Sequence, residues 1–283
     1  MFRPKIGLAL GGGGPKGLAH IGVIKALEKN NIPIDFIAGT SVGSLIGGFY
    51  AYSKNIATIE EYLMKKNWLQ ILSYFADPSI RGGLIEGNKM ERFLDEYLYS
   101  SSFSDVKIPF HATSIDIQTG DLVNLNSGSL SRAIRASCAV PILFKPVEIS
   151  DHFYLDGGLI SSVPVETVRK MGADIIIAVQ LNKHFKSHED IRSLSIQEIG
   201  EIALQIVEGN IAKNEVKRAN YIICPSVAHI RWHHLLQPNK KEEGIRLGEE
   251  AALKIIPSIK LILGKNKIEL SLHNWIEKIK KLF

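Results

Sequence analysis

The sequence predicts an α/β fold in which a parallel sheet carries helices on both faces. Three observations point to it. The chain opens strand–helix–strand–helix, the alternation that produces parallel pairing through crossover connections. Asp174–Gln180 is a continuous apolar run, as expected of a strand covered on both faces. The residues with distinctive chemistry fall at glycine-rich strand ends, where open α/β sheets collect their functional groups.

In chain order, Lys5–Leu10 reads as a short buried strand running into Gly11-Gly12-Gly13-Gly14-Pro15-Lys16-Gly17. An amphipathic helix follows, its apolar face built from Leu18, Ile21, Ile24, Ala26 and Leu27. Phe36–Gly39 is a second strand, and Val42–Tyr52 a small-residue helix able to pack closely. Ile56–Lys66 and Asn88–Tyr99 read as helices on either side of a loop at Arg81-Gly82-Gly83. The second opens with Asn88 and, three residues on, Glu91, a capping-box-like start. Pro109–Asp116 and Leu122–Asn126 are strands joined by a turn at Gln118–Asp121. Leu130–Ser137 is a short helix that stops before Pro141, and Phe153–Leu155 a strand leading into Asp156-Gly157-Gly158. Val165–Met171 is helical. Beyond Leu181 the character changes: Asn182–Arg192 is polar and reads as an exposed loop. Amphipathic helices near Ser195–Ala219 and Glu242–Leu263 then flank a last strand at Tyr221–Cys224.

A chain of 283 residues, 45% hydrophobic and 22% charged, suits one large domain spanning 1–283, with a core over 5–181 and a helical part over 182–283 packed on it. The net charge of +5 suits an anionic surface, lipid or nucleic acid without demanding any of them; no nucleic-acid partner is expected, and oligomeric state is not legible. Lys265, Lys267, Lys278, Lys280 and Lys281 crowd the C-terminal end. Residues 274–283 alternate Trp275, Ile276, Ile279, Leu282 and Phe283 with lysines, a pattern for docking on the domain or for peripheral membrane contact. Cys138 and Cys224 form no CxxC or metal-ligand spacing, and the N-terminus has no signal-peptide pattern, so a cytoplasmic location is expected. Ile34–Tyr52, the most apolar long stretch, is too interrupted by Asp35 and glycines to span a membrane.

Gly39-Thr40-Ser41-Val42-Gly43 has the G-x-S-x-G spacing of a sharp strand-to-helix turn that projects its serine from the end of a sheet. Ser41 is therefore the candidate nucleophile, framed by Gly39 and Gly43. Gly12-x-Gly14-x-x-Gly17 also matches a dinucleotide fingerprint. That site needs an acidic residue at the far end of the second strand, whereas Asp35 precedes it. A phosphate-binding P-loop fails as well, because Lys16 lies before the final glycine and Leu18 follows it. The remaining use is electrostatic: backbone N–H groups of Gly12, Gly13 and Gly14 could hold an oxyanion at a helix start, Pro15 having none to offer.

A serine nucleophile needs a base. His184, His188, His233 and His234 fall in polar loops, and His152 is the best-placed histidine, just before the Asp156 strand. Asp156 ends an apolar strand and is followed at once by two glycines that let the backbone turn and another group come close, so Asp156 is the candidate base.

The order G-G-G-x-K-G, G-x-S-x-G, D-G-G resembles the patatin-like phospholipase family, from about Lys5 to Leu181. Ala136–Pro141 and Val163-Pro164-Val165 look like that family's intermediate segments. The resemblance implies a three-layer α/β/α sandwich with a mostly parallel central sheet, carrying a Ser–Asp dyad without a histidine. Carried over by position, Ser41 is the nucleophile, Asp156 the proton acceptor, and the amides of Gly12, Gly13 and Gly14 the oxyanion hole. Lys16, Gly17, Gly39, Gly43, Gly157 and Gly158 support the motifs. Lys16 stands where the family often has arginine, which keeps the charge and loses the bidentate fork. The expected chemistry is hydrolysis of a lipid or fatty-acyl ester, of phospholipase A or lysophospholipase type, with no metal or organic cofactor. Leu84, Ile85, Leu143 and Phe144 are candidates for the acyl-binding wall. A thioesterase or small-ester esterase on the same dyad, and a non-catalytic lipid- or nucleotide-binding module, are the alternatives.

Overall fold

The structure, a computed structural model, describes residues 3–66, 77–79, 82–182 and 196–264, together with Gln70 and Ser73. An eight-stranded sheet runs through it: β1 (Ile6–Leu10), β2 (Phe36–Thr40), β3 (Phe110–Asp116), β4 (Leu122–Leu125), β5 (Val147–Ile149), β6 (His152–Asp156), β7 (Ile175–Val179) and β8 (Tyr221–Ile223). The order is β5-β6-β3-β2-β1-β7-β8, with β4 pairing to β3 off this path. Strands β3, β2, β1, β7 and β8 pair in parallel; β4, β5 and β6 join antiparallel at one side. The helices are α1 (Leu18–Lys29), α2 (Val42–Ser53), α3 (Ile56–Lys65), α4 (Asn88–Leu98), α5 (Leu130–Ser137), α6 (Val165–Lys170), α7 (Ile196–Glu215) and α8 (Pro238–Leu253).

The two-residue period of the strands sorts the core. Ile6, Leu8 and Leu10 of β1 and Ile175, Ile177 and Val179 of β7 point into a layer shared with α1, α2, α3, α4 and α8. Ala9, Ile176 and Ala178 point the other way, onto Val165 and Val168 of α6 and Ala212 of α7. That second face is lined by smaller side chains, so its helices lie close: a Cβ at Gly7 would come within 2.0 Å of Val168. The sandwich is therefore three-layered, as expected. Each fully buried Leu or Ile in these layers contributes about 1.5–3 kcal/mol.

Helix α8 rests on α1 backbone to backbone. A Cβ at Gly22 would sit 1.8 Å from the Ile245 carbonyl oxygen, and one at Gly248 would sit 2.0 Å from that of Ala19.

Several expectations need correcting. The capping box at Asn88 does not form: Gly87 occupies the cap position at φ 86° with no side-chain cap, and the buried Arg135 side chain donates to the Gly87 carbonyl at 3.2 Å. Strand β5 was not expected, since three residues carry too little periodicity to read. The last helix begins at Pro238 rather than Glu242 and ends at Leu253, with further helical turns over 256–264. Asn182 was expected in an exposed loop, yet it is buried. The rest of that loop, Arg81, and the basic segment from Lys265 through 274–283 lie outside the described residues. Cys138 and Cys224 are free thiols. No helix among the described residues is long and apolar enough to cross a membrane.

Candidate active site

Three strand ends converge. Strand β1 ends at Leu10 and leads through Gly11, Gly12 and Gly13 into a 3-10 turn, Gly14–Gly17, that opens onto α1. Strand β2 ends at Thr40, and Ser41 stands between it and α2. Strand β6 runs antiparallel to β3, but its last residue, Asp156, pairs with Ser114, immediately beyond the Thr113 that pairs with Thr40. An antiparallel strand thus delivers Asp156 to the same edge at which the parallel strands end.

Ser41 adopts φ 55°, ψ −125°, a strained conformation for a residue with a side chain. The flanking glycines are steric necessities. A Cβ at Gly39 would lie 2.4 Å from the Gly43 backbone, and one at Gly43 would lie 2.1 Å from the Leu10 carbonyl oxygen. The elbow is further fixed by Ser137 at the end of α5, whose Oγ accepts from the Ser41 N–H at 3.0 Å and meets Ser44 Oγ at 2.6 Å. Helix α2 begins at the next residue, so its positive end faces the Ser41 side chain.

Asp156 is buried. Its Oδ1 accepts from the Gly158 N–H at 2.8 Å, and its Oδ2 has no hydrogen-bond partner among the described residues. Burial pushes the carboxyl up to about 6, against the pull of the Ser41 hydroxyl and the Gly158 N–H. Gly157 lets this turn press onto β3, since a Cβ there would be 2.7 Å from the Thr113 carbonyl oxygen.

The glycine loop departs from expectation at one residue. The Gly12 N–H donates to the Ser162 carbonyl at 2.9 Å and is therefore occupied. Gly13 (φ 154°) and Gly14 (φ 53°) take left-handed conformations, and their N–H groups have no backbone acceptor among the described residues. Gly17 brings the loop against α2, with a Cβ there only 2.0 Å from Val42. Lys16 is buried and donates to Asn182 at 2.7 Å and Gln205 at 3.3 Å. Burial lowers its ammonium to about 8.

Among the histidines, His152 is half exposed and pairs with Asp116 at 2.6 Å, so the structure does not bring it to Ser41. The buried His20 was not anticipated. Its Nε2 contacts the Gly11 carbonyl at 2.8 Å, which requires the proton on that nitrogen, and burial lowers the ring to about 4, so it stays neutral. It fixes the carbonyl that precedes the oxyanion loop. Asn182 and Glu208 were also missed, because each matters through a partner distant in sequence.

Ser41 forms part of the wall of a cavity of ≈ 240 Å³ lined chiefly by apolar side chains, among them Leu45, Ile46, Leu63, Met90, Phe93 and Phe144. Of the four residues expected in an acyl-binding wall, only Phe144 lines it; Ile85 is buried beside Phe144, and Leu84 is exposed.

Comparison with known proteins agrees with the order of these motifs. Residues 8–169 match the model of the patatin-like phospholipase family, more than half of the chain. The chain belongs to that family. It is 36% identical over 186 residues to lysophospholipase NTE1 of Debaryomyces hansenii, a match covering 64% of this chain and 12% of that protein. It is 35% identical over 182 residues to an NTE family protein of Mycobacterium tuberculosis, covering 63% and 49%. Human patatin-like phospholipase domain-containing protein 6 is 31% identical over 185 residues, covering 62% and 13%. The chain thus spans at most about half the length of these relatives. Among solved structures, VipD from Legionella pneumophila shares the fold with a TM-score of 0.54 at 13% identity, covering 91% of this chain and 67% of that one. No group of His, Cys, Asp and Glu suited to a metal occurs among the described residues.

Proposed function

We propose that this patatin-like phospholipase family member is a lipid acyl hydrolase, of phospholipase A or lysophospholipase type, working through Ser41 and Asp156. The observation that carries the proposal is the placement of Ser41, on a strained elbow in the wall of an apolar cavity, beside a buried carboxyl with one unpartnered oxygen. The printed names of the relatives, a lysophospholipase among them, support the substrate class.

In this mechanism Asp156 takes the proton of Ser41 as its oxygen attacks the acyl carbonyl. The N–H groups of Gly13 and Gly14 hold the oxyanion, a contribution of roughly 3–4 kcal/mol per donor. The acyl–oxygen bond breaks, the leaving alcohol takes the proton from Asp156, and water repeats the sequence to release the fatty acid. The acyl chain lies along Leu45, Phe93 and Phe144. Because the base must be ionised, kcat/KM rises with pH and levels off above about 6.

The test is incubation with mixed phospholipids and lysophospholipids, followed by analysis of the fatty acids released. Release that disappears in Ser41→Ala supports the proposal. Cleavage confined to short soluble esters or acyl thioesters would replace it with the esterase or thioesterase reading.

A further inference from the structure

A second carboxyl faces the centre just described. Glu208, on α7, lines the same cavity as Ser41. Its Oε2 accepts from the Asn182 side-chain N–H at 2.7 Å, and the Asn182 oxygen in turn accepts from Lys16 at 2.7 Å. Lys16 can only donate, so it fixes which way the Asn182 amide points and directs its NH₂ at Glu208.

Gly158 shows how close the carboxyls are. A Cβ on that residue would lie 2.8 Å from Glu208 Oε1 and 3.1 Å from Asp156 Oδ1, so the two oxygens are within about 6 Å of each other across a bare Cα. A Cβ on Gly12 would lie 3.6 Å from Ser41 Cβ and 3.8 Å from Glu208 Oε2. Glu208 therefore stands over both the base and the serine. The second glycine of D-G-G clears the space between the carboxyls: a Cβ there would press on Glu208 at 2.8 Å and crowd Asp156 at 3.1 Å.

We propose that Glu208 is a positioning residue of the catalytic centre: held by Asn182 against Asp156, it keeps its proton while the site works, leaves the single carboxylate charge to Asp156, and stops turnover when it ionises. The proposal rests on the hydrolase reading above. Two carboxyls this close in a water-poor cavity do not both ionise readily, and the proton stays on the one less well served by donors. Asp156 accepts from the Gly158 N–H and Glu208 from the Asn182 NH₂, one donor each, so the choice falls to burial beside the other's charge, which leaves Glu208 as the proton holder. Burial, reinforced by the Asp156 charge, pushes Glu208 up to about 8, against the pull of Lys16 and Asn182. Between about 6 and 8, Asp156 is charged and Glu208 neutral. Above that range a second negative charge would face the oxyanion forming on the Ser41 adduct.

The groups facing Glu208 are Asp156 from the end of β6, Lys16 from the glycine turn and Asn182 from the segment after β7. Gln205 lies one turn earlier on α7, and Glu215, further along that helix, is tied to Ser161 and Val163. The Arg231 charge lowers the proton affinity of Lys16. Lys16 loses its proton in the same range, and its effect has the opposite sign. Removing the Glu208 charge would lower the proton affinity of Lys16, so an alkaline limit set by Lys16 would move to lower pH.

The experiment is the pH profile of kcat/KM for wild type, Glu208→Gln and Glu208→Asp on a fluorogenic umbelliferyl acyl ester. It is paired with infrared difference spectra of wild type against Glu208→Gln. The wild type should lose activity about tenfold per pH unit above about 8. In Glu208→Gln that limb should move up by more than about one pH unit while the acid limb near 6 stays, because Asp156 titrates while Glu208 is still neutral. Glu208→Asp should keep an alkaline limb. The infrared spectra should show a protonated carboxyl at pH 7 that Glu208→Gln removes. An alkaline limb in Glu208→Gln that stays or moves down overturns the proposal, as does a wild type with no such limb or no such infrared band. Absence of any Ser41-dependent turnover sinks the hydrolase reading instead, and the infrared spectra still decide the protonation of Glu208.

Discussion

Replacing Asp156 by Asn should make the protein inactive and more stable, and the gain should depend on pH. Burial holds the Asp156 carboxyl at about 6, whereas an aspartate in the unfolded chain titrates at 3.8. One pH unit corresponds to about 1.36 kcal/mol, so keeping this side chain ionised within the fold costs about 3 kcal/mol at neutral pH. The folded state binds the proton more tightly than the unfolded one. The cost is therefore absent below the unfolded value, grows as pH rises from about 4 to 6, and is complete above that. Asn carries no such charge and keeps an oxygen for the Gly158 N–H. Thermal unfolding of both proteins should show Asp156→Asn ahead by about 1.5 kcal/mol at pH 5 and by about 3 kcal/mol at pH 7.5. The larger figure amounts to a Tm several degrees higher for a chain of this size. Turnover should fall by about 10²–10⁴-fold, the usual contribution of a positioned general base. A variant no more stable than wild type at pH 7.5, or a difference that stays flat between pH 5 and 7.5, would refute the assignment of a buried Asp156 with raised proton affinity.

Other outcomes follow from the same geometry. His152→Ala should leave kcat/KM within about twofold of wild type in a steady-state assay, because its half-exposed ring pairs with the buried Asp116 and is not brought to Ser41. Leu45→Trp should narrow the cavity and shift the chain-length profile of released fatty acids toward shorter chains, with activity on a short ester kept within about tenfold. Gly22→Ala should lower stability by about 1–3 kcal/mol in denaturant unfolding, since its Cβ would meet the Ile245 carbonyl oxygen at 1.8 Å and α1 and α8 would have to part.

The local parts of the site were legible in the sequence because their signals are local. The G-x-S-x-G spacing announces a turn that only glycines can flank, and the contacts of Gly39 and Gly43 with neighbouring backbone give the reason. Strands β1, β2 and β7 were recognisable as unbroken apolar runs, and α1 and α2 as the segments after the glycine turns. Features that depend on distant partners were not legible. The Gly12 N–H looks free in the sequence but is taken by Ser162, 150 residues away in the chain. Asn182 reads as a polar loop residue, yet it bridges Lys16 and Glu208. Glu208 sits on a helix whose pattern is that of an ordinary amphipathic segment. The misplaced cap at Asn88 has the same origin: Arg135, from another helix, packs so close to Gly87 that a Cβ there would come within 1.9 Å of it, and Gly87 at φ 86° takes the cap position.

Covalent trapping with a fluorophosphonate, read by intact mass and peptide mapping, tests the central claim most directly. The account predicts a single adduct on Ser41 in the wild type, none in Ser41→Ala, and much slower adduct formation in Asp156→Asn. Unmodified wild-type protein, or an adduct that persists in Ser41→Ala, would contradict it.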